Sequence, residues 1–193
     1  MNETSTLIIL AGGASRRMGQ PKHLLATRGG TLIEHIGRRL SPQFAETLLV
    51  GRDEDLIPDG MRFVQDACPV RSPLVGIYSG LLAARTDTCI IIGCDMPFVV
   101  PSLVQELAAR CSGVDVVVPV VNGFCEPLLA AYRRSCIPAI ETALDEGRLK
   151  VTSIYRDLTV REVPEEAIRR IDPELTSFTN LNTPKQLGLL ARL

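Results

Sequence analysis

The sequence predicts a single-domain, Rossmann-like α/β protein with a mainly parallel central sheet and helices on both faces. Short unbroken aliphatic runs alternate along the chain with longer segments whose apolar residues recur at helical spacing. The aliphatic runs lack polar alternation, which is typical of parallel strands that are buried on both faces. The sequence contains no internal repeat, low-complexity tract or long linker, so residues 1–193 are predicted to form one domain.

The first half of the chain predicts four strands and two helices. Strands are predicted at the apolar runs Leu7 to Leu10, Thr47 to Val50 and Cys89 to Ile92, and a further short strand is predicted at Arg62 to Gln65. The helices are predicted where apolar residues recur every three or four positions: Thr31 to Leu40 and Val75 to Ala84. A loop rich in glycine and arginine, from Ala11 to about Lys22, joins the first strand to the first helix.

The second half is less regular but continues the alternation. Strands are predicted at Val114 to Val121, at Pro127 to Tyr132 and, as an edge strand, at Thr159 to Val163. Helices are predicted at Leu103 to Ala109, at Ile137 to Glu146 and after Thr183 as far as Leu190. The last helix is indicated by a capping-box pattern, Thr183 with Gln186, and by Pro184, which suits a first helical turn.

Composition excludes several classes of protein. The 193 residues are 46% hydrophobic and carry a net charge of −1, which excludes a disordered chain and disfavours a surface built for nucleic acid or anionic lipid. The first apolar run, Leu7 to Ala11, is far shorter than the ~20 residues of a spanning helix and has no basic start before it. We therefore expect a cytoplasmic protein that binds neither membrane nor nucleic acid, with its six cysteines reduced.

The glycine-rich loop is the first candidate site. Gly12 and Gly13 allow a tight turn whose backbone N–H groups approach a ligand, and Arg16, Arg17 and Lys22 add positive charge, so the loop is suited to phosphates. Its spacing matches neither the P-loop nor the dinucleotide-binding fingerprint. An ordinary βα turn with solvated arginines remains the alternative.

Two aspartates are the second candidate. Asp95 directly follows a predicted strand and, because ligands of open parallel sheets bind beyond the carboxyl ends of the strands, should face the same crevice as the glycine-rich loop. A carboxylate there suits Mg²⁺ that also bridges substrate phosphates, although it could instead cap a turn. Asp66, after the third strand, is a weaker candidate because a loop aspartate is usually solvated.

Five segments, taken in order, resemble the molybdenum cofactor nucleotidyltransferases, and within that family the guanylyltransferases most closely. The resemblance covers almost the whole chain. The segments are the loop from Leu10 to Lys22, Asp66 followed by Ser72 to Ile77, Gly93 to Pro97, Glu126 to Tyr132, and Phe178 to Pro184.

The resemblance implies a nucleotidyltransferase fold and a reaction. GMP is transferred from GTP to the terminal phosphate of molybdopterin, with or without bound molybdate, and pyrophosphate leaves. Mg²⁺ is the implied cofactor, and GTP and molybdopterin are the implied partners, with transient contacts to other cofactor-biosynthesis proteins and to molybdoenzymes.

The resemblance also implies roles for individual residues. The nucleotide would be contacted by Leu10, Ala11, Gly12, Gly13, Lys22, Asp66 and Asp95. Asp95 would also bind Mg²⁺. The catalytic set is Lys22, Asp95 and Arg16, because countercharge is needed as negative charge builds on the leaving pyrophosphate. No general base is expected, because the attacking phosphate is already ionised at neutral pH.

Some positions depart from the guanylyltransferase pattern. The sequence from Gly19 to Lys22 is closer to the Gly-x-Pro-Lys of the related cytidylyltransferases, and Gly51 stands where guanylyltransferases often have an asparagine. Gly12 followed by Gly13 favours guanine. The alternatives are therefore a cytidylyltransferase or another sugar-phosphate-type nucleotidyltransferase. A GTP-binding protein without turnover is disfavoured, because Lys22, Asp66 and Asp95 are all present.

Asn180 and Asn182 allow two interpretations. They lie in a segment that could reach the pterin end of the site, or they could serve as a turn former and a helix cap. The structural interpretation is slightly favoured for Asn182.

Overall fold

A computed structural model describes residues 5–11, 25–52 and 57–181. Within these ranges the strands are Ser5–Leu10 (β1), Ala26–Thr27 (β2), Gly30–Thr31 (β3), Glu46–Gly51 (β4), Met61–Gln65 (β5), Thr88–Gly93 (β6), Val116–Val121 (β7), Phe124–Cys125 (β8), Leu129–Arg133 (β9) and Val160–Pro164 (β10). The α-helices are Leu32–Leu40 (α1), Pro73–Ala83 (α2), Pro101–Ala109 (α3), Ile137–Asp145 (α4) and Glu165–Arg169 (α5). Short 3₁₀ turns span Ser41–Gln43, Arg134–Cys136, Val151–Asp157 and Thr176–Phe178.

The central sheet has the strand order β10-β7-β9-β6-β1-β4-β5, and β8 pairs with β7. The four strands β6, β1, β4 and β5 are parallel to one another, as are β10 and β7, which confirms the predicted mainly parallel sheet. Strand β9 runs antiparallel to both β6 and β7. The chain returns from β7 to β9 over a few residues, which is too short for the crossover that parallel pairing requires.

Helices cover both faces of the sheet, as predicted. One face packs against α1, α3 and α5, and the other packs against α2 and α4. Within β1, Leu7 and Ile9 point to the first face while Ile8 and Leu10 point to the second, and all four are buried. This burial on both sides accounts for the unbroken aliphatic runs in the sequence.

Helices α1 and α2 begin at capping residues that the sequence supplies. Thr31 and Glu34 form a reciprocal capping box at the start of α1. Helix α2 begins two residues before the predicted Val75, because Ser72 accepts a hydrogen bond from Leu74 N and Pro73 suits the first turn.

The remaining predicted elements occur with shifts of a few residues, and some short elements were not predicted. The hairpin of β2 and β3, strand β8 and helix α5 are too short for periodicity to reveal. The predicted helix after Thr183 lies outside the described residues. No helix within the described ranges is long and apolar enough to cross a bilayer.

Candidate functional site

The carboxyl ends of four neighbouring strands are joined by backbone hydrogen bonds into one edge. Ala11 N, after β1, donates to Val50 O of β4 over 2.8 Å, and Cys94 N, after β6, donates to Leu10 O over 3.1 Å. On the other side, Asp66 N, after β5, donates to the carbonyl of the last residue of β4 over 2.8 Å. The loops that follow β1, β5 and β6 are therefore held at the same edge, where the sequence places the candidate residues.

Asp95 is held in a tight turn directly after β6. Met96 N donates to Gly93 O over 3.1 Å, and Leu181 N, from near the end of the described chain, donates to Asp95 O over 2.9 Å. A Cβ added to Gly93 would stand 2.7 Å from Oδ1 of Asp95, so the carboxylate occupies space that only a glycine leaves open. The glycine in the Gly93-Cys94-Asp95 segment thus determines where this carboxylate lies.

Asp66 is half-buried, unlike the usual solvated loop aspartate, while its predicted role in binding the nucleotide stays a prediction. Burial raises its pKa, and Arg52 opposes that shift with an ion pair of 3.5 Å between Nε and Oδ2. Arg52 also donates to Pro69 O, which ties the loop after β5 to the end of β4. Arg52 was assigned no role from the sequence, although its place directly after a strand at this edge could have indicated one.

Leu10 and Ala11 approach the edge mainly through their backbone. The Leu10 side chain is buried, and a Cβ on Gly76 of α2 would lie 3.1 Å from its Cδ2. A Cβ on Gly51 would lie 3.3 Å from the Ala11 Cβ, a tight approach that an asparagine at this position would have to relieve. Glycine rather than asparagine at position 51 is therefore consistent with the close packing of Ala11 against this residue.

The segment from Ser177 to Leu181 closes one side of the site. Asp172, which is buried, accepts hydrogen bonds from the backbone of Thr176 and Ser177, and Ser177 Oγ accepts one from Val100 N over 3.0 Å. Asn180 precedes the residue that binds Asp95 O, and among the described residues its buried Oδ1 has no hydrogen-bond partner. Both interpretations of Asn180, as a residue that reaches the site and as a turn former, stay predictions.

Four of the predicted residues lie outside the described residues. Gly12, Gly13, Arg16 and Lys22 belong to the glycine-rich loop, and their roles stay predictions. Asn182 lies outside as well. In the part of the chain that the structure describes, no group of three or more His, Cys, Asp or Glu residues could hold a metal ion. The role of Asp95 as a ligand of Mg²⁺ stays a prediction.

Comparison with known protein families identifies one match. The family described as the MobA-like NTP transferase domain matches residues 7–162. A protein of Pelotomaculum thermopropionicum named probable molybdenum cofactor guanylyltransferase is 38% identical over 95% of this chain and 90% of its own length. One of Desulfosudis oleivorans, named molybdenum cofactor guanylyltransferase, is 34% identical over 94% of this chain and 92% of its own.

Solved structures show the same likeness. The molybdopterin-guanine dinucleotide biosynthesis protein A of Archaeoglobus fulgidus superposes with a TM-score of 0.83 at 31% identity, covering 97% of both chains. The 2-C-methyl-D-erythritol 4-phosphate cytidylyltransferase of Thermus thermophilus superposes with a TM-score of 0.71 at 18% identity, covering 96% of both chains. The second likeness shows the fold alone.

Proposed function

The chain belongs to the MobA-like NTP transferase family and is a nucleotidyltransferase, and we propose that it transfers GMP from GTP to the terminal phosphate of molybdopterin. The observation that carries this proposal is the shared edge of β1, β5 and β6, at which Ala11, Asp66 and Asp95 converge. The full-length likeness to relatives named molybdenum cofactor guanylyltransferase supports the choice of GTP and of molybdopterin.

The proposed reaction is a substitution at phosphorus. An oxygen of the acceptor's terminal phosphate forms a bond to the α-phosphorus of GTP, and the bond from that phosphorus to the bridging oxygen breaks. The products are the guanine dinucleotide form of the cofactor and pyrophosphate. Such a transfer needs two anionic reactants held in line, and it needs countercharge rather than covalent help from the protein.

The chain's own residues divide this work. Asp95 would hold Mg²⁺, which supplies positive charge to the reacting phosphates when it is bound. Asp66, oriented by Arg52, would hold the nucleotide beside the end of β4. Lys22 and Arg16 would add countercharge from the glycine-rich loop, and Gly12 and Gly13 would bring backbone N–H groups to the nucleotide. The attacking phosphate is largely ionised near pH 7, so no side chain is assigned as a general base.

CTP remains the alternative nucleotide, because the segment from Gly19 to Lys22 is closer to that of the cytidylyltransferases. Purified protein is given Mg²⁺, molybdopterin and either GTP or CTP, and the dinucleotide product is identified by mass spectrometry. We expect product from GTP. Product from CTP alone would contradict the proposal while leaving the nucleotidyltransferase assignment in place.

The cellular setting follows from the reaction. We propose that the protein acts in the cytoplasm and makes transient contacts with proteins that deliver molybdopterin and with molybdoenzymes that receive the product. The absence of a membrane-spanning helix among the described residues is compatible with this setting.

A further inference from the structure

An apolar groove of about 580 Å³ opens beside the candidate site. Its walls come from the start of α2, the hairpin of β7 and β8, the residues that lead into β9, and the segment after α4. Residues lining it include Pro73, Phe124, Leu128, Leu149, Lys150 and Val151. Its volume is in the range of pockets that hold small molecules, which is roughly 300–1,000 Å³.

The groove is joined by hydrogen bonds to the edge that carries the two aspartates. Gly93 N, two residues before Asp95, donates to Leu128 O over 3.1 Å. At the opposite wall, Ser72 Oγ donates to Leu149 O over 2.8 Å, and Ser72 ends the loop that begins at Asp66. The groove therefore adjoins both the loop after β6 and the loop after β5.

Internal contacts hold the groove in shape. Tyr132, which is fully buried, donates its hydroxyl proton to Pro127 O over 3.0 Å, so Tyr155 donates to Tyr132 across the 2.9 Å between their oxygens. Burial raises the pKa of both tyrosines, so both hydroxyls keep their protons. Tyr155 belongs to the 3₁₀ turn whose first residues line the groove. The tyrosine pair thus connects two opposite walls.

The hairpin that carries Phe124 is equally constrained. Asn122 and Gly123 have φ values of 51° and 79°, which suit the two central positions of a tight type I′ turn. Asn122 N donates to a carboxylate oxygen of Glu165 in α5 over 2.8 Å. Phe124 is therefore presented by a rigid turn rather than by a flexible loop.

The exposed surface of the groove has the chemistry of a binding site. Phe124 is 73% exposed and Leu149 is 38% exposed, and together they place large apolar surface in water. Both side chains line the same groove, and a contiguous apolar patch in water is typical of a binding site. Lys150 is exposed, and no ion pair of its ammonium group occurs within the described ranges. A flat, fused-ring molecule that also carries negative charge fits this combination of surfaces.

We propose that this groove is the acceptor subsite, where the fused pterin rings lie against Phe124 and Lys150 faces the acceptor's anionic groups. The inference rests on the proposed function, because that function makes molybdopterin the acceptor. The hydrogen bond from Gly93 to Leu128 places a groove residue next to the strand end that precedes Asp95, and this neighbourhood favours an acceptor over a docked protein. The nucleotide would then occupy the other side of the edge, near Ala11.

Variants Phe124→Ala and Lys150→Ala test the subsite. Phe124→Tyr keeps the ring, and Leu82→Ala is the matched control, because Leu82 is an apolar side chain of α2 that is 44% exposed and does not line the groove. Equilibrium binding of molybdopterin is measured without oxygen and without nucleotide, together with the KM for molybdopterin at saturating GTP and the Kd for GTP.

We expect Phe124→Ala and Lys150→Ala each to weaken molybdopterin binding about tenfold or more, by loss of ring contact and of charge respectively. Phe124→Tyr and Leu82→Ala should bind as the unaltered protein does, and the Kd for GTP should not change. Unchanged molybdopterin binding in both alanine variants would overturn the subsite. Unchanged binding with impaired transfer to a recipient enzyme would instead indicate a protein-docking surface and would also overturn it.

Failure of the proposed function gives a different result. If the unaltered protein binds molybdopterin in the groove but forms no dinucleotide from GTP, the function is wrong while the subsite stands. If it forms the dinucleotide and the two alanine variants are indistinguishable from it, the subsite is wrong while the function stands. If it binds no molybdopterin at all, both are wrong.

Discussion

At the residue scale, Asp66 is held at a cost to stability, whereas Asp95 is placed by a neighbouring glycine. Asp66 is half-buried with a raised pKa, and its ion pair with Arg52 does not fully offset the cost of burial. Asp95 lies where only a glycine at position 93 leaves room for its carboxylate. A carboxylate that is held at a cost to stability, as Asp66 is, is typical of a functional site.

Replacing Asp66 by asparagine should stabilise the protein at neutral pH. The folded state raises the pKa of Asp66 above its ordinary value of 3.8, so folding favours the protonated form. The stabilising contribution of that form is complete below pH 3.8 and is lost as pH rises through the folded pKa. Asp66→Asn should therefore have a higher Tm than the unaltered protein at pH 7, and the difference should shrink as pH falls toward 4.

The same variant should bind GTP more weakly, which separates function from stability. Asp172→Asn is a control for which we expect the opposite change in Tm. Burial works to raise the pKa of Asp172, but its bonds from Ser177 and Thr176 outweigh burial and lower it. Asp172→Asn should therefore lower the Tm at pH 7. A lower Tm at pH 7 for Asp66→Asn would contradict the argument.

Asp95→Asn should nearly abolish turnover. Loss of one group that stabilises transition-state charge commonly costs about 10²–10³ in kcat, and the amide is a poor ligand for Mg²⁺. Binding of GTP without metal should weaken far less. Asp145→Asn, at the exposed end of α4, is the matched control and should keep full activity. Near-normal turnover in Asp95→Asn would remove this residue from the proposed metal site.

Gly93→Ala tests the placement of Asp95 without changing its charge. The added methyl group would stand 2.7 Å from Oδ1, so the carboxylate must move, and a displacement of about 1 Å can cost roughly 10²-fold in rate. We expect kcat to fall at least about tenfold with little change in fold by circular dichroism. Gly29→Ala, whose Cβ would meet the movable end of Arg38, should leave kcat unchanged. Equal kcat values for Gly93→Ala and Gly29→Ala would contradict the role of Gly93 in placing the Asp95 carboxylate.

At the element scale, α2 lies close against β1 because two glycines face the strand. A Cβ on Gly80 would stand 2.7 Å from Ile8 Cγ2, and one on Gly76 would stand 3.1 Å from Leu10 Cδ2. The loop that holds Asp66 leads into this helix, whose cap, Ser72, is also bonded to the groove wall. The packing distance of α2 therefore positions the candidate site and the acceptor groove together.

Gly80→Ala should destabilise the protein by about 1–3 kcal/mol, because overpacking against Ile8 outweighs the better helix propensity of alanine. Gly76→Ala should cost less, since its added Cβ meets the movable end of Leu10. Urea unfolding measures both. If Gly80→Ala were as stable as the unaltered protein, α2 would have room to move and the close contact would not be required.

At the scale of the whole molecule, the net charge of −1 hides an uneven distribution. The chain has no acidic residue between Glu3 and Glu34, and the basic residues of that stretch are Arg16, Arg17, Lys22 and Arg28. A stretch of sequence with four positive charges and no acidic residue, in a chain that also carries Asp95, is better suited to a Mg²⁺–triphosphate than to a nucleic acid. Acidic residues elsewhere in the chain balance the total.

The six cysteines, none of which forms a disulfide in the described structure, offer a test of the whole fold because they differ in burial. Burial raises the pKa of Cys111 to about 11 and that of Cys136 to about 12, and it also raises that of Cys89. Cys94 is buried as well, while Cys68 and Cys125 are half-buried. In the native protein we expect a thiol reagent to modify Cys68 and Cys125 first and the other four only on unfolding.

Mass spectrometry of the labelled peptides measures this order. Fast labelling of Cys89 or Cys136 in the native protein would contradict the packing of the core layer to which both belong. Because Cys125 lines the acceptor groove, its rate of labelling also reports access to that groove.

The sequence by itself determined the architecture and the positions of the candidate residues. Strands such as Ser5–Leu10 and Thr88–Gly93 were predictable because burial on both faces requires unbroken aliphatic runs. Helix α1 was predictable because its cap and its apolar spacing are local features. The position of Asp95 directly after a strand was predictable because strand ends are local too, whereas the antiparallel direction of β9 was not predicted.

Only the tertiary structure decided which distant segments meet and at what distance. It showed Arg52 beside Asp66, Leu181 bonded to Asp95, and Phe124, Leu149 and Pro73 around one groove. The pairing of these residues leaves no periodic signal in the sequence, because each contact joins residues that are separated along the chain. Sequence patterns record which side chains must be buried, but the depth of a half-buried carboxylate and the shape of a groove depend on how whole elements pack.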